Sequence, residues 1–365
     1  MIKLPQINTS GIVTKPVQPA GNRRYLLKQV ADTPNTFTLQ IDNSSLEVFN
    51  ACARSAEYKL VHARQGGEKP ALVYGGAIHD GLEHYYKNFH LPQYTVARDT
   101  LKEEMFEKAS KKYETYSPPL GEWRTLDRAC DTLSKYLNEY KDEPFKVRQV
   151  DDTPQVEIPF SLPLTVVDFG PGAQATEYTF SELVDPETWL PDQHPDSNVI
   201  LKEVRVYWTG KIDVVIDLDM QSWIMDHKTS SMVGPTFFKD FELSQQTLGY
   251  CWAAEQIYNE RFAGLLVNVL VGRKPTKTGI PTAFERQRYH YRQDQIDEWQ
   301  QDVTTLVSDF VANLARSNFP KMTKWCVGKY GLCEYHEVCS LPPHTRLPIL
   351  FSDSFVDSTW SPLND

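Results

Sequence analysis

Between Leu201 and Ser231 the chain carries charge where a core strand should be apolar: LKEVRVYWTGKIDVVIDLDMQSWIMDHKTSS. Val204, Val206 and Trp208 alternate with polar or amphipathic residues. Ile212, Val214, Val215 and Ile216 form a denser run, and Trp223, Ile224 and Met225 lead into Asp226. With a short turn at Met220–Gln221, this pattern predicts adjacent strands of one sheet. Asp213 lies between Ile212 and Val214, so two carboxylates fall in strands expected to be buried. Lys228, two residues beyond Asp226, shares its face in an extended strand. A surface hairpin could carry the same D-x-K, but the apolar neighbours argue for burial, where charge needs a partner or a metal. Two carboxylates a hairpin apart can converge into a hard oxygen shell for a divalent cation. The ammonium can stabilise charge on a phosphate or help position an attacking water.

Around this section the order strand, strand, helix, strand predicts a mixed α/β core. Residues 1–43 read as an irregular or partly stranded lead-in broken by Pro5, Pro16, Pro19 and Pro34. Residues 44–96 hold two predicted helices. One runs from Ser44 to Arg64 behind hydroxyl caps, and the other is ALVYGGAIHDGLEHYYKNF, entered through Gly75 and Gly76. Residues 97–142 contain two charged amphipathic stretches, expected as a helical insertion with PPLG as its turn. The core is expected over 143–289, with a Gly-, Pro- and acid-rich excursion at about 166–198. A long helix is predicted from Phe237 and a buried strand at GLLVNVLVG. A C-terminal helix and cysteine cluster follow over 290–340, then a loosely ordered tail at 341–365.

Two helical pairs extend the set of polar candidates. His79 and Glu83 are four apart and share a face, so His79 could add an imidazole to a metal shell; His84 and His90 nearby read as packing or surface residues. Gln246 and Tyr250 are likewise four apart and could face the lysine or a substrate backbone.

The six cysteines are too few for a disulfide scaffold. Three of them, Cys326, Cys333 and Cys339, run C-x6-C-x5-C on a glycine-containing segment, and Cys52 lies far upstream. Four thiolates match a structural metal site that ties the chain ends together; iron-sulfur and zinc both accept such a set. His336 could substitute as a ligand, with Cys52 preferred. Cys130 and Cys251, in apolar surroundings, are expected to be buried and inert.

Composition decides less. Hydrophobic content of 41% and charged content of 24% are ordinary for a soluble globular protein. The formal charge of -10 argues against non-specific wrapping of nucleic acid but not against a local basic groove. No apolar run is long enough to span a bilayer, so no membrane partner is expected. The N-terminus has no signal-like core, which makes the cytoplasm (a host's, if the chain is phage-encoded) the default location.

Taken together, GGAIHDGLE (Gly75 to His79), GKIDVV (Gly210, Asp213), MDHKTS (Asp226, Lys228) and QQTLGY (Gln246, Tyr250) resemble the RecB-like branch of the PD-(D/E)XK nuclease superfamily. Its elements G-x-x-x-H, G-x-x-D, D-x-K and Q-x-x-x-Y occur here in order. FNACARSAEY with Cys52, and the segment Phe319–Cys339, resemble the two halves of the cysteine clasp in CRISPR-adaptation, AddB-type and phage exonucleases. The spacing here is wider than the C-x2-C start of some members. The resemblance spans roughly residues 44–340.

It implies a restriction-endonuclease-like mixed sheet flanked by helices, with a helical insertion and a cysteine-clasped C-terminal region. It implies Mg²⁺ or Mn²⁺ held by His79, Asp213, Asp226 and the backbone carbonyl of His227. Lys228, Gln246 and Tyr250 would complete the catalytic set, and Glu157 in VEIPF is a plausible acidic counterpart on an earlier strand. It further implies a 4Fe-4S cluster on Cys52, Cys326, Cys333 and Cys339, with Zn²⁺ as the alternative. The expected activity is DNA exonuclease cleavage at single-stranded or free ends, in recombination, repair or phage DNA metabolism. Lys321, Lys324, Lys329, Arg54 and Lys59 are candidates for contacts to the DNA backbone. Rival readings are an endonuclease, a DNA-binding subunit dependent on a helicase or recombination partner, and a zinc-stabilised protein-binding module without catalysis.

Overall fold

The turn that closes the central hairpin shows how local chemistry sets the register. Asp219 and Met220 both adopt left-handed backbone (φ 53° and 60°), the conformation a two-residue hairpin turn requires. The turn therefore falls one residue earlier than Met220–Gln221, and the strands on either side pair from Leu218–Gln221 to Val214–Met225.

The computed structural model describes residues 2–3, 11–13, 27–30, 33, 35–93, 97–178, 200–277, 279, 281–316, 318–328 and 331–357. Most of the expected lead-in, residues 179–199 with most of the expected excursion, Lys329 and the end of the tail lie outside them. In chain order the main elements are β1 (Thr36–Ile41), α1 (Asn43–Ala51), α2 (Pro70–Asn88), α3 (Arg98–Glu114), α4 (Leu126–Glu139), β2 (Val156–Tyr178), β3 (Ile200–Leu218), β4 (Gln221–Ser230), α5 (Gln245–Tyr258), β5 (Gly264–Gly272), β6 (Thr282–His290) and α6 (Gln293–Arg316). A small hairpin, β7 (Val327–Gly328) with β8 (Gly331–Leu332), precedes α7 (His336–Ser340). Among the described residues no helix is long and apolar enough to cross a membrane.

The chain divides into two compact units. The first comprises Met1–Gly67, Phe160–Gly210 and Glu298–Asp365, and the second Glu68–Pro159 and Lys211–Asp297.

The second unit is a mixed α/β layer structure. β3 and β4 are antiparallel, β4 and β5 parallel, and β5 and β6 antiparallel. All nine residues of β5 are buried, which explains its unbroken apolar reading. Helices α2 and α4 cover one face, where Tyr86 stacks on His227 of β4. Helix α5 covers the other, where Gln246 meets Lys228. The core beneath α2, α3 and α4 gathers Ile78, Leu82, Met105, Leu133, Val214, Ile216 and Met225. Each such fully buried side chain contributes about 2 kcal/mol. Gly75 sits mid-helix in α2, which begins earlier than expected, at Pro70. A Cβ at position 75 would stand 2.9 Å from Thr229 Oγ1, so glycine lets the helix approach β4 closely. The helix expected from Phe237 is two pieces, a 3-10 turn over Phe238–Glu242 and then α5, because Ser244 caps α5 by accepting from the Thr247 N–H.

In the first unit β1 pairs in parallel with Glu203–Trp208 of β3. The helix expected over Ser44–Arg64 breaks at Cys52, whose backbone is extended (φ -163°, ψ 114°), and resumes as a short turn that widens to π geometry over Glu57–Val61. Strand β2 runs on to Tyr178, into the span expected as an excursion. The described part of the tail is packed rather than loose. Leu350 and Phe355 are buried against Tyr58, Tyr335 and Val338, and Val356–Asp357 pairs with Arg64–Gln65.

Candidate active site

The site forms where the pairing of β3 and β4 ends. Beyond the last rung, Val214–Met225, the main-chain N–H of His227 donates to Asp213 Oδ2 at 2.7 Å. Asp213 and Asp226 are 8% and 2% exposed, so neither charge is relieved by bulk water. Alternation along β4 sends Asp226 and Lys228 to the α5 face and His227 to the α2 face. Lys228 Nζ lies 2.7 Å from Asp226 Oδ2 and donates to Gln246 Oε1 at 2.8 Å. Gln246 Nε2 donates in turn to the Tyr250 hydroxyl at 3.1 Å. The i, i+4 spacing on α5 thus forms a relay that aims the lysine.

On the other side of Asp213, His79 Nδ1 of α2 stands 3.6 Å from Asp213 Oδ2. Ligand atoms of His79, Glu157 and Asp213 all lie within 4.8 Å of one another. Glu157, at the start of β2, holds a left-handed backbone (φ 56°), a conformation that costs a non-glycine residue on the order of 1 kcal/mol. Its carboxylate faces Lys211 Nζ at 3.5 Å.

Electrostatically the cluster is short of cations. Burial, then the Asp213 charge, pushes the Glu157 carboxyl up to about 8, against the pull of Lys211. Burial and the Asp226 charge also raise Asp213, while His79, Lys228 and the His227 N–H oppose the shift. Carboxylates that converge while buried retain protons unless a cation replaces them. Oxygen donors with one imidazole fit a hard or borderline divalent ion such as Mg²⁺ or Mn²⁺.

The model of the PD-(D/E)XK nuclease superfamily matches residues 43–340, most of the chain. The chain belongs to that superfamily. Its fold is therefore the expected restriction-endonuclease-like α/β class, and nucleic acid is the substrate class the family implies. Similar solved structures include one from Eubacterium rectale, of a protein assigned as an exonuclease. It is 11% identical, with a TM-score of 0.40, over 82% of this chain and 86% of that one. Another is SSO0001, 11% identical with a TM-score of 0.26, over 76% and 79% of the two chains. No curated protein matches the chain.

In this superfamily member His79, Asp213, Asp226, Lys228, Gln246 and Tyr250 all lie in the second unit and form the contacts above. Glu83 turns instead to Lys87. His84 pairs with Glu104. The cysteines lie in the first unit. Cys52, Cys326, Cys333 and Cys339 line one cleft together with Ser55, and His336 borders it too. The extended kink at Cys52 presents its sulfur to the Met322 N–H at 3.3 Å, and the Cys333 N–H donates to the Cys326 carbonyl at 3.0 Å. Burial pushes the Cys52 thiol up, but the N–H groups around it, Met322 foremost, outweigh this and hold it below the ordinary thiol range. In the second unit Cys251 is buried and pushed up to about 12, and Cys130 is raised by burial. Of the basic candidates, Arg54 pairs with Glu57 and Lys321 Nζ reaches the Cys339 carbonyl at 3.5 Å.

Sequence reasoning missed the polar residues behind β4, namely Tyr86, Tyr136, Glu143, Asn268 and Arg286. One signal was available: Asn268 interrupts GLLVNVLVG, a strand that otherwise reads as wholly apolar.

Proposed function

We propose that the protein is a divalent-metal-dependent DNA exonuclease acting on single-stranded or free ends. The observation that carries this reading is the convergence of His79, Glu157 and buried Asp213, with buried Asp226 on the neighbouring strand and Lys228 bridging Asp226 and Gln246. His79, Asp213 and Asp226, with the His227 carbonyl and Glu157, would hold Mg²⁺ or Mn²⁺, which when bound polarises the phosphate and acidifies water. The chain's own residues do the rest. Lys228 places positive charge against the negative charge that develops on phosphorus-bound oxygen as water attacks and the ester P–O bond breaks. Gln246 and Tyr250 hold Lys228 in that direction. Lys321, Lys324 and Lys59 supply cations for the DNA backbone.

Cys52, Cys326, Cys333 and Cys339, which line one cleft, would hold a 4Fe-4S cluster, with Zn²⁺ as the alternative. The setting in this reading is recombination, repair or phage DNA metabolism in the cytoplasm, with a helicase or recombination protein as partner.

The test uses anaerobically purified protein and its Lys228→Ala variant with Mn²⁺ or Mg²⁺. Substrates are single-stranded oligonucleotides labelled at either end, duplexes and closed circles. Shortening that requires metal and Lys228, and spares circles, supports the exonuclease. Cutting of circles replaces it with an endonuclease. No cutting by folded protein with its cysteine site filled rejects stand-alone activity and directs attention to a partner.

A further inference from the structure

Three adjacent strands of the second unit carry one polar residue each at the same level. His227 of β4 is in register with Asn268 of β5, and Asn268 with Arg286 of β6. Asn268 is completely buried and His227 is 2% exposed. Arg286 Nε donates to Asn268 Oδ1 at 3.0 Å. Its two terminal nitrogens donate to both oxygens of Glu143, at 2.6 and 2.8 Å, and the Glu143 side chain is 1% exposed. Tyr86 and Tyr136 close the network, each accepting from Arg286, at 3.1 and 2.8 Å.

The donor inventory fixes the direction of every bond in this rung. Arginine can only donate, so the Asn268 oxygen must face Arg286. The Asn268 amide nitrogen then faces the Tyr136 hydroxyl at 2.9 Å and His227 Nδ1 at 2.8 Å. An amide nitrogen does not accept, so Nδ1 is the acceptor and the neutral ring carries its proton on Nε2. Tyr86 lies flat against that ring, with centroids 5.3 Å apart and planes 18° from parallel. The main-chain N–H of His227 is the group that holds Asp213.

A buried ion pair is a poor source of stability, since apolar residues of similar volume pack as well or better. Holding one orientation is a role that apolar residues cannot fill.

We propose that this rung is the positioning unit of the acidic site. Arg286, clamped by Glu143, sets the Asn268 amide; the amide sets His227 as its Nε2–H form; and the fixed His227 keeps its main chain on Asp213. The inference rests on the proposed metal site, and His227, Asn268 and Arg286 act in it as positioning residues.

The decisive variant is Asn268→Asp in the full chain. It keeps the shape and the Arg286 contact, but its carboxylate accepts from both neighbours and draws the His227 proton to Nδ1. Nitrogen-15 spectra of the histidine rings in metal-free protein should show His227 protonated on Nε2 in the wild type and on Nδ1 in the variant. Calorimetric titration with Mn²⁺ alone should show affinity about 10-fold weaker in the variant, the lower end for loss of a ligand-orienting partner. Glu143→Gln should weaken Mn²⁺ binding less. A wild-type ring protonated on Nδ1 overturns the proposal, even if Asn268→Asp does not fold. So does equal Mn²⁺ affinity in folded wild type and Asn268→Asp. Neither readout requires cleavage, so a wild type that cuts no DNA but passes both tests rejects stand-alone nuclease activity and leaves the rung standing.

Discussion

The acidic site and the cysteine cleft are built by opposite means. The acidic residues come from long strands and helices whose registers are fixed by continuous ladders, and Asp213, Lys228 and Gln246 each have a named partner. The cysteines lie at a helix break, beside a pair of two-residue strands and in a five-residue helix, over a small core of Tyr58, Tyr335, Val338, Leu350 and Phe355. A site on a packed sheet is organised before any ion arrives, so its residues can be spent on chemistry. A site on short irregular pieces has only a small core of its own, so a group held by its thiols would contribute to folding.

This contrast can be broken by experiment, and the largest effect is expected at Asp226. Asp226→Asn should lower metal-dependent cutting on the order of 10³-fold or more. Its melting temperature should stay near wild type, because removing one of two buried like charges offsets the lost lysine pair. A large fall in melting temperature would mean that the acidic site, too, holds the fold together.

Cys52→Ser should do the reverse. If Cys52 ligates a group whose binding is coupled to folding, the substitution should lower stability by about 3 kcal/mol, read by denaturant unfolding of anaerobic protein. Unchanged stability would remove the cysteine half of the comparison. Iron, zinc and visible absorbance measured on the same preparation would show whether a group is bound and which one.

Gln246→Ala should reduce turnover about 10-fold, which is about 1.4 kcal/mol, with little change in the Mn²⁺ dependence, because Gln246 touches the lysine and not the proposed ligands. A shift in metal affinity with unchanged turnover would move Gln246 to a ligand-orienting role.

The smallest effect concerns pH in the first unit. Burial pushes the Glu57 carboxyl up to about 7, against the pull of Arg54. The folded state therefore binds the proton more tightly than the unfolded chain, and stability falls as pH rises from the ordinary carboxylate range through about 7. Glu57→Gln should remove that loss, raising stability above pH 7 by about 1 kcal/mol after the lost Arg54 pair is discounted, and changing little at pH 5. Identical pH profiles of unfolding for the two proteins would show that Glu57 ionises freely.

Much of the acidic site was legible because its spacing is local. Two-residue alternation put Asp226 and Lys228 on one face, a hairpin brought Asp213 beside Asp226, and a four-residue interval put Gln246 and Tyr250 on one helical face. Gly75 and His79 were legible as a motif, but not the reason for the glycine, which is the approach to Thr229. The helix break at Cys52 was not legible, since FNACARSAEYKL reads as continuous helix and its kink accompanies the contact with Met322, 270 residues away. The packed tail was missed for a similar reason: Leu350 is buried by Tyr58 and Tyr335, which no local pattern links to it.

The sequence by itself therefore determined the β3–β4 hairpin, the buried strand β5 and the polar residues that interrupt them, because periodicity is a property of neighbours along the chain. Tertiary structure alone decided how closely Glu157, named from the resemblance, approaches His79 and Asp213, and that Glu143, Arg286 and Asn268 stand behind His227. Those contacts join residues far apart in the chain, and their hydrogen-bond directions exist only once the strands are in register.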